Sequence, residues 1–256
     1  MNEKDSKAPL ADHFSAVATG YVAFRPRYPD ELFDYLSGIV PRRQQAWDCG
    51  CGSGQATLEL ADRFVAVLAT DVSGAQIAAA PRHPHVTYRT APAQTSGLPA
   101  ASTDLIAIAQ ALHWFDLDSF YAEVRRVLSP NGVIAAWSYG IMKLEQPDID
   151  APVQNYRTDT LNGYWPPERR HVENGYSELA FPFNEIVPPT FKMEVEWHLP
   201  QLLGYLRSWS AAGRFLAERG FDPVIDVAKI IAPLWGDPYS KRKISWPLTL
   251  RVGRLA

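Results

Sequence analysis

Residues 47 to 56 read WDCGCGSGQA, with Gly50, Gly52 and Gly54 alternating with Cys51 and Ser53, and Cys49 just ahead of them. Glycine gives up more conformational freedom on folding than any other residue. Three of them this close mark a backbone that must take unusual angles or be approached closely. Two chemistries compete for the stretch. Paired cysteines suggest a metal or a redox couple, whereas a glycine turn suggests a cradle for a phosphate or nucleoside. Two thiolates with no histidine or further cysteine nearby cannot complete a tetrahedral zinc site. An i, i+2 pair across a glycine turn is also poorly placed for a disulfide. Cys49 and Cys51 therefore read as small buried fillers, no metal is expected, and the glycines read as a cradle.

The spacing Gly50-x-Gly52-x-Gly54 narrows that cradle. A dinucleotide fingerprint starting at Gly50 would need glycine at position 55, which is Gln55. Hydride chemistry on a nicotinamide dinucleotide is therefore disfavoured. Asp48 lies two residues ahead of the glycines, and Asp71 closes the apolar run VAVLATD. An acid at the tip of the second strand of a doubly wound sheet can accept hydrogen bonds from ribose hydroxyls, so a nucleoside without a diphosphate fits.

The elements that would position these residues are short apolar runs separated by helical patterns. QAWDCG, VAVLATD, VTYRTA, TDLIAIAQA and GVIAAWSYG read as five strands. The fourth is apolar without alternation, as a strand buried on both faces should be. QATLELADRF and FDLDSFYAEVRRVL read as helices, the second stopping at Pro130-Asn131-Gly132. Strands alternating with helices predict an α/β fold with a doubly wound, mostly parallel sheet. In such sheets the first strand-to-helix turn lies at the carboxyl edge, where ligands bind. After Gly140 the rhythm changes. Residues 141–186 are rich in proline and aromatics; TFKMEVEWHL then alternates like a strand, two helical stretches follow, and SWPLTLRVGRL reads as a last strand.

Composition excludes several classes. The chain has 256 residues, 46% hydrophobic and 21% charged, a soluble globular profile. A net charge of −3 and the lack of a basic block argue against a nucleic-acid partner. No apolar run approaches the length of a membrane span. Two cysteines and a polar start, MNEKDSKAPLADHF, predict a cytoplasmic protein.

These residues resemble the class I S-adenosylmethionine-dependent methyltransferases. DCGCGSG is similar to their glycine motif and ATDVSGAQI to their second motif. APAQTSGLPAASTDLIAIAQALHWFD with FYAEVRRVLSPNGVIAAWSYG resembles the type 11 branch. RPRYP, HWF and YLRSWSA resemble the trans-aconitate methyltransferase-like group. The resemblance is good over residues 13–140 and weaker beyond. It implies a seven-stranded Rossmann-like sheet and S-adenosylmethionine as cofactor. By its motifs, Asp48, Gly50, Gly52 and Gly54 would hold the methionine part. Asp71 would bind the ribose, with Val72 along the adenine and Ala93 and Gln94 at the adenine edge. Gln110 and Ala111 would pass beneath the sulfonium. Tyr21 and Arg25 would fold over the cofactor within a lid at residues 13–28; packing of Tyr21 and Tyr28 on the sheet, and a surface pairing of Arg25, are the alternatives.

The expected organisation is a tail at 1–12, a cofactor-binding core at 13–140, a substrate cap at 141–215, and a helix and strand at 216–256 that complete the sheet. Tyr156, Trp165, Trp197 and Trp209 are candidate substrate contacts, and Arg157, Arg169, Arg170 and His171 candidate partners for an acidic acceptor. A carboxylate acceptor is already ionised and needs no base. A hydroxyl or amine acceptor would call on His113, which otherwise only bonds backbone at a strand end. The expected activity is methylation of a small molecule. A methyltransferase acting on a macromolecule and a non-catalytic cofactor-binding protein remain the competitors.

Overall fold

The computed structural model describes residues 26–255. Among the described residues nine strands form one sheet, with β1 (Gln45–Cys49) parallel to β2 (Ala66–Asp71) on one side and to β4 (Thr103–Ala109) on the other. β3 (Val86–Thr90) and β5 (Leu128–Tyr139) extend it in parallel, so the order runs β3-β2-β1-β4-β5. The 13-residue β9 (Arg242–Arg254) then enters antiparallel. Its Leu248 pairs with Tyr139 of β5 and with Phe191 of β8 (Phe191–Trp197), so β9 lies between them. Two short strands, β6 (Lys143–Leu144) and β7 (Asn184–Ile186), also pair with β9 and raise the count from the expected seven to nine.

Central strands are buried on both faces, and their side chains divide between two cores. Ala46 of β1, Leu105 and Ala107 of β4, and Val133 and Ala135 of β5 face one core. Trp47, Ile106, Ile108, Ile134 and Ala136 face the other. That two-sided burial is why these runs do not alternate. The first core is covered by α1 (Asp30–Ile39) and α2 (Gln55–Ala61), the second by α4 (Leu117–Val127), whose Phe120, Tyr121 and Val124 point inward. The short α3 (Gly74–Ala79) follows β2, its first turn capped by Ser73.

Past β5 the chain builds α5 (Pro147–Asn155), a wider turn at Tyr156–Thr160 and α6 (Arg169–Glu173). After β8 come α7 (Leu199–Arg207), α8 (Ser210–Arg219) and α9 (Val224–Trp235). Tyr156, Leu161, Leu202, Trp209, Val224 and Trp235 share the first core with the sheet. β8, assigned from sequence to the cap, is a strand of the sheet instead. No helix among the described residues is long and apolar enough to cross a membrane.

Candidate functional site

The glycine turn sits at the carboxyl end of β1. Gly50, Gly52 and Gly54 have φ values of 74°, 54° and 86°, left-handed angles that favour glycine. A Cβ at Gly50 would lie 2.6 Å from Cβ of Ala111, so glycine lets the turn close onto the end of β4. A Cβ at Gly54 would lie 2.6 Å from the Tyr88 hydroxyl, whereas one at Gly52 would meet no protein atom within 4 Å. Asp71, at the tip of β2, ties the turn down: its Oδ2 accepts from the Gly52 N–H at 2.9 Å and its Oδ1 from the Ser73 N–H at 2.8 Å. A carboxylate has about four lone-pair positions, so Asp71 keeps two for a ligand. Gln110, at the end of β4, has a φ of 57° and a buried side-chain amide nitrogen with no hydrogen-bond partner. A non-glycine residue in this region is uncommon, and an unpaired buried donor is costly unless something binds it.

Gly50, Gly52, Asp71 and Gln110 line a cavity of about 290 Å³. Its sheet side is formed by Gly50, Gly52, Asp71, Val72, Gln110 and Ala111. Facing them, the chain after β5 contributes Arg157, Trp165, Arg169, Tyr205 and Trp209. Trp209 stacks on Tyr156 with ring centres 5.8 Å apart and touches Trp165 at 5.5 Å. The Arg169 guanidinium lies 3.8 Å over the Trp165 ring, a cation–π geometry. Arg157 and Arg169 both donate to Oε1 of Glu173, at 2.9 and 3.1 Å, so two positive groups share one carboxylate. Nε of Arg157 is buried and unpartnered.

His113 stands where the two walls meet. Its Nδ1 is 3.0 Å from the Tyr176 hydroxyl and its ring packs on Trp114. Burial, aided by the His171 and Arg169 charges, draws its imidazole down to about 4, so it is neutral at pH 7.

With this geometry in hand, comparison with known proteins decides the family. The methyltransferase domain family, type 11, matches residues 47–136. A Dictyostelium discoideum protein provisionally named a methyltransferase is 35% identical over 224 residues, covering 86% of this chain and 85% of its own. A solved structure provisionally described as a type II methyltransferase, from Anaeromyxobacter dehalogenans, is 48% identical. It matches with a TM-score of 0.86 over 91% of this chain and 98% of its own. A Saccharomyces cerevisiae protein named for S-adenosylmethionine dependence is 28% identical over 131 residues, 46% of this chain and 44% of its own length. The chain belongs to the S-adenosylmethionine-dependent methyltransferases. It is a class I methyltransferase with a Rossmann-like sheet, and S-adenosylmethionine is its cofactor.

Of the cofactor residues expected in this methyltransferase, Gly50, Gly52, Asp71, Val72, Ala93, Gln110 and Ala111 are on the cavity wall. Asp48 is not: it is fully buried behind the turn, accepts from the Thr57 hydroxyl at 2.6 Å, and has its other oxygen unpartnered. Burial pushes its carboxyl up to about 7; the Thr57 bond opposes this and the Asp71 charge adds to it. Gly54 is a buried packing position under Tyr88, and Gln94 is exposed and off the wall. Tyr21 and Arg25 lie outside the described residues. Tyr28, at the end of the expected lid, packs edge-on against Trp137 at 5.7 Å and reaches the cavity.

Among the substrate candidates, Trp165 and Trp209 line the cavity, but Tyr156 and Trp197 do not. Tyr156 supports Trp209 from behind, and Trp197 packs on Tyr205 and Trp246 at 5.3 and 5.5 Å. Arg157 and Arg169 reach the cavity, while Arg170 and His171 do not line it. Both cysteines are free and buried, and burial pushes both thiols up; Cys51 is also on the cavity wall. Asp104 is structural, binding the backbone N–H groups of Gln44 and Gln45 and the Ser129 hydroxyl. The sequence reading missed Ser53, Gln76 and Tyr139 on the wall. Tyr139 could have been found, because it ends β5 on the same carboxyl edge as Asp71 and Gln110.

Proposed function

We propose that this methyltransferase acts on a small molecule bearing a carboxylate, bound between the glycine edge and the cap, in the manner of the trans-aconitate methyltransferase-like group. One observation carries the reading: Arg157 and Arg169 face the cavity with only Glu173 between them, leaving excess positive charge beside an aromatic wall. Planar guanidinium groups suit carboxylates, and a cavity with aromatic walls suits a small organic body.

The residues present fit the cofactor. Gly52 leaves the backbone open, Asp71 has acceptor capacity for the ribose hydroxyls, and Val72 and Ala93 offer apolar surface for the adenine. The Gln110 amide nitrogen is a donor awaiting a partner at the same edge. S-adenosylmethionine supplies a methyl group already activated on a sulfonium. The chain's own task is positioning and the exclusion of water by Trp165, Tyr205 and Trp209. An ionised carboxylate brings its own nucleophilic lone pair. A histidine drawn down to about 4 is a weak base at pH 7, which accords with an acceptor that needs none.

The test is to incubate the protein with labelled cofactor and a metabolite extract and identify the labelled product. A methyl ester of a small carboxylic acid is the expected product. Arg157→Ala and Arg169→Ala should each raise the KM for that acid, by roughly 10- to 100-fold, the scale of losing a charge-assisted hydrogen bond. Label appearing only in protein or RNA would overturn the reading.

A further inference from the structure

Tyr176 is a buried aromatic residue held at a φ of 61°, an outlier for a bulky side chain. Strain of this kind persists only where the surroundings over-determine it, and here they do. Gly175 precedes it at a φ of 59°, where a Cβ would lie 2.8 Å from Thr249. The Tyr176 N–H donates to the His171 carbonyl at 2.7 Å. Its own carbonyl and that of Leu179 accept from Arg251 at 3.0 and 2.7 Å, and Arg251 is in turn paired with Glu185. The mechanism described above uses none of this apparatus.

What the clamp delivers is one hydroxyl, placed 3.0 Å from Nδ1 of His113. That hydroxyl has one proton to give, and Nδ1 is the acceptor in reach. We propose that Tyr176 is a positioning residue: its hydroxyl donates to Nδ1 of His113, fixes the imidazole proton on Nε2, and so makes His113 an N–H donor toward the acceptor in the cavity. Among the described residues Nε2 has no hydrogen-bond partner, and His113 lines the cavity. What Nε2 binds rests on the acceptor reading above; the tautomer belongs to the chain alone. A donor at this place orients an anionic oxygen, whereas a base would have to take a proton from a hydroxyl or amine acceptor.

Nitrogen NMR of the full chain labelled at histidine, with S-adenosylhomocysteine present, reads the tautomer directly. His113 should show a protonated Nε2 and a bare Nδ1, unchanged between about pH 5.5 and 8. Tyr176→Phe should turn this into a mixed or Nδ1-protonated pattern. A wild-type spectrum with the proton on Nδ1, or a Tyr176→Phe spectrum identical to wild type, overturns the assignment. The wild-type spectrum decides even if the variant fails to fold. The donor role is read separately, by label transfer to the metabolite extract. His113→Gln, which keeps a side-chain N–H, should yield more product than His113→Ala; equal loss in both overturns it. Absence of any product from the wild type counts against the acceptor reading and leaves the tautomer result standing.

Discussion

Asp71 does two things with one carboxylate. It anchors the glycine turn through Gly52 and the start of α3 through Ser73, and it retains acceptor positions at the cavity. Asp71→Ala removes both, and should weaken S-adenosylhomocysteine binding by about 1–3 kcal/mol, roughly 5- to 150-fold, measured by calorimetry. An unchanged Kd would remove Asp71 from the cofactor site. Asp48 answers to pH instead. Its folded carboxyl titrates near 7, against about 3.9 in an unfolded chain. The folded state therefore binds the extra proton between those values. The resulting stabilisation is fully present below about pH 4 and is lost as pH rises through 7. Asp48→Asn keeps an oxygen for the Thr57 hydroxyl and cannot ionise. Urea unfolding should show wild type losing stability relative to Asp48→Asn between about pH 4 and 7, by an amount on the order of 2–4 kcal/mol. A constant difference across that range would show that Asp48 does not titrate there.

At the scale of elements, two of the three tryptophans that sequence could not tell apart separate cleanly. Trp209 follows α7 and shows an edge to the cavity, while Trp197 ends β8 on the face that also buries Met193. Trp197→Ala should cost about 3–5 kcal/mol of stability in urea and leave the S-adenosylhomocysteine Kd of the folded protein unchanged. A changed Kd at unchanged stability would return Trp197 to the site. The parallel core was legible because β1, β4 and β5 are apolar on both faces, and because glycines and acids mark where strands end. The cap was less legible for local reasons. Pro152 lies inside α5, and the chain leaves that helix through a widened turn at Tyr156–Thr160, so the helical period is masked where it matters. Period also failed to show which residues turn away from the ligand. Asp48 is adjacent to the turn in sequence and wholly behind it in space. The strained pair Gly175–Tyr176 left no signal at all, since a tyrosine at positive φ is a product of its surroundings and not of its type.

For the whole molecule, the relation of cap to sheet sets how it unfolds. One continuous core joins Leu32 and Phe33 of α1 and Trp137 of β5 to Tyr156 and Trp209 of the cap and to Val224 and Trp235 of α9. The cap segments are also threaded through the sheet, because β8 and β9 bracket α7, α8 and α9 in the chain and pair with each other in space. A cap built this way has no separate core to keep when the sheet melts. Heating should therefore give one transition, with the far-ultraviolet signal of the backbone and the fluorescence of the tryptophans changing together. The eight tryptophans report on both parts, Trp47 and Trp137 from the sheet and Trp165 and Trp209 from the cap. A ligand at the junction binds only the folded chain and shifts this single transition as a unit. At about 100 times its Kd, S-adenosylhomocysteine adds roughly 2.7 kcal/mol, which for a chain of this size raises Tm by about 5–10 °C. Two resolved transitions, with only the later one moved by the ligand, would mean that the cap opens independently of the sheet; the cavity wall carrying Arg157, Arg169 and Trp209 would then be a hinged cover and not a fixed side of the site.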